Sequence, residues 1–259
     1  MNILCIGDVV GSAGCDWLRK ALPSFKKQRG VDLVVANGEN SQDGNGISPA
    51  SAEHLFASGV DVITGGNHTF RQRNVFPLLE ENPFLLRPAN YPASAPGGGY
   101  TTVDLGFVTV AVINLMGTAF LEPLDCPFAA ADRLVERAKQ DGARVVLVDF
   151  HAEATAEKKA LAFYLDGRIT ALVGTHTHVQ TSDAQILPGG TGYLTDLGMT
   201  GPALSVLGVK PELSVARMKD KIPVRFVNAD GPCVMEGCLL EVDHATGRCR
   251  SIETVRIAE

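Results

Sequence analysis

Short apolar runs that end in polar, ligand-type side chains recur along this chain. Residues 3–6 run into Gly7-Asp8, 33–36 into Asn37-Gly38-Glu39-Asn40, and 60–63 into Thr64-Gly65-Gly66-Asn67-His68. Residues 145–148 run into Asp149-Phe150-His151, and 171–173 into Gly174-Thr175-His176-Thr177-His178. Apolar runs of roughly four to six residues bounded by glycine suit strands buried on both faces of a largely parallel sheet. In such sheets the reactive groups collect beyond the carboxyl ends of the strands.

Between these runs the period lengthens to that of helices. Trp17, Leu18, Leu22 and Phe25 predict an amphipathic helix over 15–29 that Pro23 should kink, preceded by a loop at 8–14. Ser48-Pro49 supplies an N-cap and a first-turn proline for the next helix, and Gly59 closes it. A further helix is expected over 69–81, with Arg71 and Arg73 in its first turn, where cations oppose the helix dipole unless an anion sits nearby. The chain then alternates as a hairpin (101–104 and 107–115), a helix (129–140), the strand ending in His151, a helix (156–165) and the strand at 170–174. Short strands follow at 184–187 and 192–195, a helical insertion or arm at 203–221, and antiparallel strands at 223–227, 233–242 and 248–257. This is an α/β pattern: two halves fused into a two-sheet sandwich with outer helices, one domain spanning 1–259.

Composition narrows the picture. With 259 residues and 45% hydrophobic content the chain can bury one large α/β core. A net charge of −6 argues against general attraction to long nucleic acid, which needs a basic stripe. No apolar run approaches the ~18 residues that span a bilayer, and a cytoplasmic protein is expected. The six cysteines form no C-x-x-C pair and read as reduced, structural thiols.

His176-x-His178 on a strand end would place both imidazoles on one side of the backbone. Taken singly, each ligand-type residue has a plainer reading: Asp8 as a helix cap, Asn67 as a turn residue, His151 as a core histidine. His54, inside a helix and remote from any strand end, reads as a packed histidine. The conjunction of Asp8, Glu39, Asn67 and His151 at four separate strand ends, with His176 and His178 at a fifth, reads as a metal site. Arg71 and Arg73 are candidate phosphate contacts, and Asn90, in the Pro88 to Pro92 loop, a candidate for the site wall.

The motifs Gly7-Asp8-Val9-Val10-Gly11, Asn37-Gly38-Glu39-Asn40, Gly65-Gly66-Asn67-His68, Gly174-Thr175-His176-Thr177-His178 and Gly198-Met199-Thr200-Gly201-Pro202 carry a family resemblance. The chain resembles the calcineurin-like metallophosphoesterase superfamily, and within it the bacterial branch of 2′,3′-cyclic-nucleotide phosphodiesterases. It departs from the wider superfamily in that Asp8 is not followed by x-His, and Glu39 stands where an aspartate is usual; both departures agree with the branch. The resemblance implies an αββα sandwich and two divalent transition-metal ions, iron or manganese foremost and zinc as a third option. It implies one ion held by Asp8, Glu39, Asn40 and His178, and another by Glu39, Asn67, His151 and His176. A metal-bridging hydroxide would open the cyclic phosphate, with His68 as general acid. Two alternatives stand beside this: a phosphomonoesterase or nuclease on the same centre, and a nucleotide-sensing regulator with little turnover. The expected partners are a small-molecule nucleotide, RNA ends and, from the resemblance, further copies of the chain, with the 203–221 insertion as an oligomer contact or a lid.

Overall fold

The computed structural model describes residues 1–259. Its first half contains β1 (Asn2–Ile6), β2 (Asp8–Val9), α1 (Gly11–Arg29), β3 (Leu33–Asn37), α2 (Pro49–Ala57), β4 (Val62–Thr64), a 3-10 turn (Arg73–Val75), α3 (Phe76–Glu81), β5 (Tyr100–Asp104) and β6 (Thr109–Met116). The second half contains α4 (Pro127–Gln140), β7 (Val145–His151), α5 (Thr155–Leu165), β8 (Ala171–Thr175), β9 (Gln185–Ile186), β10 (Gly192–Leu194), β11 (Met199–Pro202), α6 (Pro211–Asp220), β12 (Cys233–Asp243) and β13 (Arg248–Ala258).

These strands form a seven-stranded sheet, ordered β2-β11-β12-β1-β3-β4 with β13 beside β12, and a six-stranded sheet ordered β5-β6-β7-β8-β10-β9. The parallel pairs β1 with β3, β3 with β4, β6 with β7 and β7 with β8 send their carboxyl ends to one rim. Alternation along β1 shows why its run is apolar throughout. Leu4 and Ile6 enter a core shared with Leu18 and Leu22 of α1, while Ile3 and Cys5 face the opposite sheet and meet a layer that includes Val110, Leu147 and Val173. On the far side of the second sheet, Val146 and Val148 pack with Ala131 and Val135 of α4 and Leu161 of α5. The result is helix, sheet, sheet, helix, as the strand patterns predict.

The hairpin β5-β6, the helices at 127–140 and 155–165 and the long carboxyl-terminal pair β12-β13 all form close to their expected places. Ser48 caps α2 through a reciprocal capping box with Ser51. Three expectations need correction. First, α1 begins at Gly11 rather than Cys15: Gly11, at φ 63°, turns the chain straight out of β2, and groups from a distant loop take the first free N–H donors. Gly11 N donates to Asn40 O at 2.9 Å and Ser12 N to Asp43 Oδ1 at 2.8 Å. The helix then continues through Pro23 to Arg29.

Second, residues 69–72 are not helical. Thr69 Oγ1 closes a tight turn on Gly66, Gln72 Nε2 is drawn to Asn45 O at 2.9 Å, and Pro77 starts a new helix in its favoured first-turn position. Third, 223–227 is not a strand and joins neither sheet. This segment instead follows α6 as an irregular strap, held by the isolated bridge of Asn228 to Val209.

Candidate metal centre

At the shared rim the first sheet contributes Asp8 from β2, Glu39 and Asn40 from the turn after β3, and Asn67 and His68 from the turn after β4. The second contributes His151 at the end of β7 and His176 and His178 just beyond β8. Glu39, His151 and His176 each offer a donor atom, all within 4.8 Å of one another. His151 Nε2 lies 3.2 Å from Glu39 Oε1, 2.9 Å from Asn67 Oδ1 and 3.0 Å from His176 Nδ1. His178 Nε2 lies 3.5 Å from Asp8 Oδ1. Gly66 makes the approach of the two sheets feasible, since a Cβ there would collide with His151 Cδ2 and Glu39 Oε2.

Each imidazole is oriented by its outer nitrogen. His151 Nδ1 meets Thr175 Oγ1 at 3.0 Å, and that hydroxyl donates to Asp149 Oδ1 at 2.7 Å. His178 Nδ1 donates to Leu207 O at 3.1 Å, and His176 Nε2 faces Glu153 Oε2 at 3.1 Å. Partners on the far nitrogen fix tautomer and ring plane in this way at metal-binding histidines. The geometry of the histidine pair differs from the expected strand end. β8 stops at Thr175, and His176 (φ 107°) and His178 (φ 62°) lie in the left-handed region. Convergence comes from this strained loop, not from side chains two apart on a pleat. The loop is held by Asp196, whose Oδ2 accepts from Thr177 N at 3.0 Å and pairs with the fully buried Lys158 at 2.8 Å.

The electrostatics are those of a donor set that calls for positive charge. Burial would raise the Glu39 carboxyl, but His151 and His68 hold it well below the ordinary carboxylate range. Asp8 follows the same logic: burial opposes ionisation, and His178 and His151 outweigh it. His151, despite burial, is pushed up to about 9 by Glu39 and Asp8, whereas burial and the neighbouring His151 hold His176 below its usual value. Two imidazole nitrogens 3.0 Å apart, flanked by carboxylates, must share a proton or a cation. Asp8 Oδ1 is buried with no hydrogen-bond partner at all. An orphaned carboxylate oxygen beside oxygen and nitrogen donors, with no thiolate among them, fits divalent metal cations.

Asn40 turns its amide nitrogen toward Glu39 Oε1 and His178 Nε2, each at 3.2 Å, and its oxygen toward His68 Nδ1 at 3.0 Å. Ligation through Oδ1 would require the amide to turn over. His68 belongs to the cluster: its backbone N–H donates to Glu39 Oε2 at 2.8 Å, and its Nδ1 lies 3.1 Å from Glu39 Oε1. The weaker candidates fall outside it. Arg71 lines a separate groove of about 360 Å3 beyond Asn67, and Arg73 is exposed in the 3-10 turn. Asn90 is buried, with its amide engaged by Met116 and Asp125 backbone groups, and it reaches no site wall. Sequence reading missed Glu153, Thr175 and Asp149. Glu153 follows His151 by two residues, yet only the left-handed loop at His176 brings them together.

A cavity of about 770 Å3 opens over the cluster. Glu39, Asn40, His68, His176 and His178 line one side, and Leu207, Val209, Arg225, Phe226 and Asn228 of the arm and strap line the other.

Comparison with known proteins supplies a family and a fold. The pattern of the family described as YmdB-like protein matches residues 4–255. A Bacillus subtilis (strain 168) protein named 2′,3′-cyclic-nucleotide 2′-phosphodiesterase is 46% identical, over 99% of this chain and 97% of its own. A solved structure of a protein from Thermus thermophilus superimposes with a TM-score of 0.94 at 42% identity, each chain covered completely (100%). At 15% identity and a TM-score of 0.64, a 5′-nucleotidase precursor from the same organism shares the fold, over 99% of this chain and 54% of its own.

Proposed function

This chain belongs to the YmdB-like protein family, and from that premise we propose that it is a dimetal phosphodiesterase that opens 2′,3′-cyclic nucleotides. The observation that carries the reading is the meeting of Glu39, His151 and His176 within 4.8 Å, at a rim to which both sheets also bring Asp8, Asn67 and His178. Glu39 lies between two donor groups, His151 with Asn67 and His176 on one side and Asp8 with His178 on the other, and would be shared by two cations. When bound, such a pair brings the ionisation of water toward neutral pH and draws charge off the phosphoryl oxygens. The oxygen and nitrogen donors suit manganese and iron, with zinc as the third choice.

His68 acts on the leaving group in this reading. Its Nδ1 is engaged by Glu39 and Asn40, which leaves Nε2 to deliver a proton to the departing ribose oxygen. Asn40 positions that ring, and Glu39 joins His68 to the cation site. Free cyclic nucleotides and RNA ends carry the same five-membered phosphate ring, so both are candidate substrates. The shared layer between the sheets supports treating 1–259 as one domain. Val215, Met218 and Ile222 stand exposed on and beside α6, which buries only Ser214; this supports the arm as a contact between copies of the chain. Six free cysteines fit a reducing, cytoplasmic setting.

The test is a substrate panel run with manganese-, iron- and zinc-loaded protein: 2′,3′-cyclic nucleotides, nucleoside monophosphates and internal RNA linkages. Ring opening to a single nucleoside monophosphate, with the monoesters and internal linkages left intact, is expected. Preferred release of inorganic phosphate would favour a monoesterase, and tight nucleotide binding without turnover under any metal would favour a sensor.

A further inference from the structure

Opposite the metal donors, the cavity wall is built by a strap with no regular secondary structure that is nonetheless pinned. Lys210 N donates to Val227 O at 3.0 Å and Ala229 N to Gly208 O at 2.8 Å. Asn228 Nδ2 reaches Asp43 Oδ1 at 3.2 Å, and Asp43 is itself tied to Ser12 N and Ser12 Oγ at the start of α1. This fixed strap presents Phe226, 43% exposed, with the Arg217 guanidinium 5.7 Å from its ring centroid. An exposed aromatic ring held in place by a pinned backbone is a stacking platform with little left to order when a flat ligand arrives.

Beside it, Arg225 is the one lysine or arginine on the cavity wall, and it forms no ion pair or hydrogen bond within the chain. Asp43, an acidic residue on the same wall, is engaged by Ser12 and Asn228 and forms no ion pair with Arg225. Arg225 and Phe226, with Asp43 and Asn228, also line a second cleft of about 450 Å3 that reaches none of the metal donors. The first cavity, at about 770 Å3, lies within the range that encloses one small molecule, roughly 300–1,000 Å3. The second offers room for a group further along a chain, with an arginine at the junction.

We propose that this strap is a nucleotide-reading subsite: Phe226 stacks on the base that carries the cyclic phosphate, and Arg225 binds the phosphodiester joining it to the preceding nucleotide. The preferred ligand class is therefore an oligoribonucleotide ending in a 2′,3′-cyclic phosphate. This rests on the phosphodiesterase reading for the orientation of the substrate and extends it to the groups beyond the scissile ring.

Three ligands separate the parts: a base-free methyl riboside 2′,3′-cyclic phosphate, adenosine 2′,3′-cyclic phosphate, and the adenylyl dinucleotide with the same cyclic end. Phe226→Ala is expected to raise KM for the cyclic nucleotide relative to the base-free ring by roughly 5- to 150-fold, the range of one base stack, and Phe226→Tyr to restore it. Arg225→Ala is expected to raise KM for the dinucleotide relative to the mononucleotide. Dissociation constants measured in parallel on the manganese-loaded His68→Ala protein, whose turnover is slowed, read the same ratios from binding alone. If no ligand is turned over but these binding ratios shift as stated, the subsite stands and the phosphodiesterase reading falls. If the reaction proceeds and neither ratio moves, or Phe226→Ala weakens all three ligands alike, the subsite is overturned.

Discussion

Behind His151, a chain of hydroxyl and carboxylate sets the tautomer that the site needs. Thr175 receives from His151 Nδ1 and donates to Asp149, while Thr64 and Asn37 donate to the other Asp149 oxygen. Burial pushes Asp149 up to about 6, so at neutral pH it remains the acceptor at the end of this chain. Replacing Thr175 with valine keeps the volume and removes the link; metal affinity should fall about 10- to 100-fold, measured by competition with a chromogenic chelator. His68→Ala should behave in the opposite way, keeping metal affinity while turnover drops about 10²-fold or more. Unchanged turnover in that variant would remove His68 from the reaction. Protonation supplies a third test. In the metal-free protein the His151 imidazole is raised from 6.5 to about 9, so it carries a proton at pH 7 that a cation must displace. Calorimetry in buffers of different ionisation heat should show proton release on loading at pH 7, fading above pH 9. The same shift makes the charged imidazole a stabilising feature below about pH 6.5 that is lost as pH rises through about 9, so the metal-free fold should weaken in that direction. At this scale the donors were legible in sequence because each stands where an apolar run stops. Thr175 and Glu153 were not, since neither residue type signals metal binding and their partners are set by loop geometry.

The elements read well where the residue pattern has one solution and poorly where tertiary partners choose among several. Apolar residues on both faces of β1, β3, β7 and β8 admit only central strands, and these formed. The 69–72 segment has helix-compatible residues, but Thr69 and Gln72 find better partners in Gly66 and Asn45. Residues 223–227 alternate like a strand, but the chain around them is held by Val209 and Lys210 of the arm rather than by a sheet edge. What positions the histidine loop could not be seen in sequence either. Lys158 lies on the buried face of α5 and Asp196 between β10 and β11, and together they clamp the backbone at Thr175 and Thr177. Lys158→Met leaves Asp196 buried without its cation. That should cost about 3–5 kcal/mol, readable as a lower urea midpoint, with metal affinity reduced as the His176 loop loosens. A midpoint unchanged from the parent protein would show that the pair is dispensable.

Across the whole molecule, the donors divide between the sheets: Asp8, Glu39 and Asn67 from one, His151, His176 and His178 from the other. Bound cations would therefore tie the two layers together at their rim, in addition to the apolar layer between them. Chelation should lower Tm in proportion to the binding free energy, about 4 kcal/mol when free metal stands a thousandfold above its Kd. Amide exchange should quicken selectively at β2, β11 and residues 176–182. Identical melting curves with and without chelator would count against a metal centre between the sheets. The net charge of −6 limits long-range attraction of polyanions, so any RNA selectivity must come from local groups such as Arg225.

The position of β1 at the middle of its sheet has a consequence for the newborn chain. One neighbour, β3, follows almost at once, but the other, β12, comes only after eleven of the thirteen strands: Met1 hydrogen-bonds to Val242, 241 residues later. At roughly 5–20 residues per second, the first strand waits on the order of 10–50 s for its second edge to be covered. Asp8 waits nearly as long for β11 to seat it. The donors from Asp8 to His178 are all made before β12, so the rim that carries them is assembled only once β11 and β12 have docked beside β2 and β1.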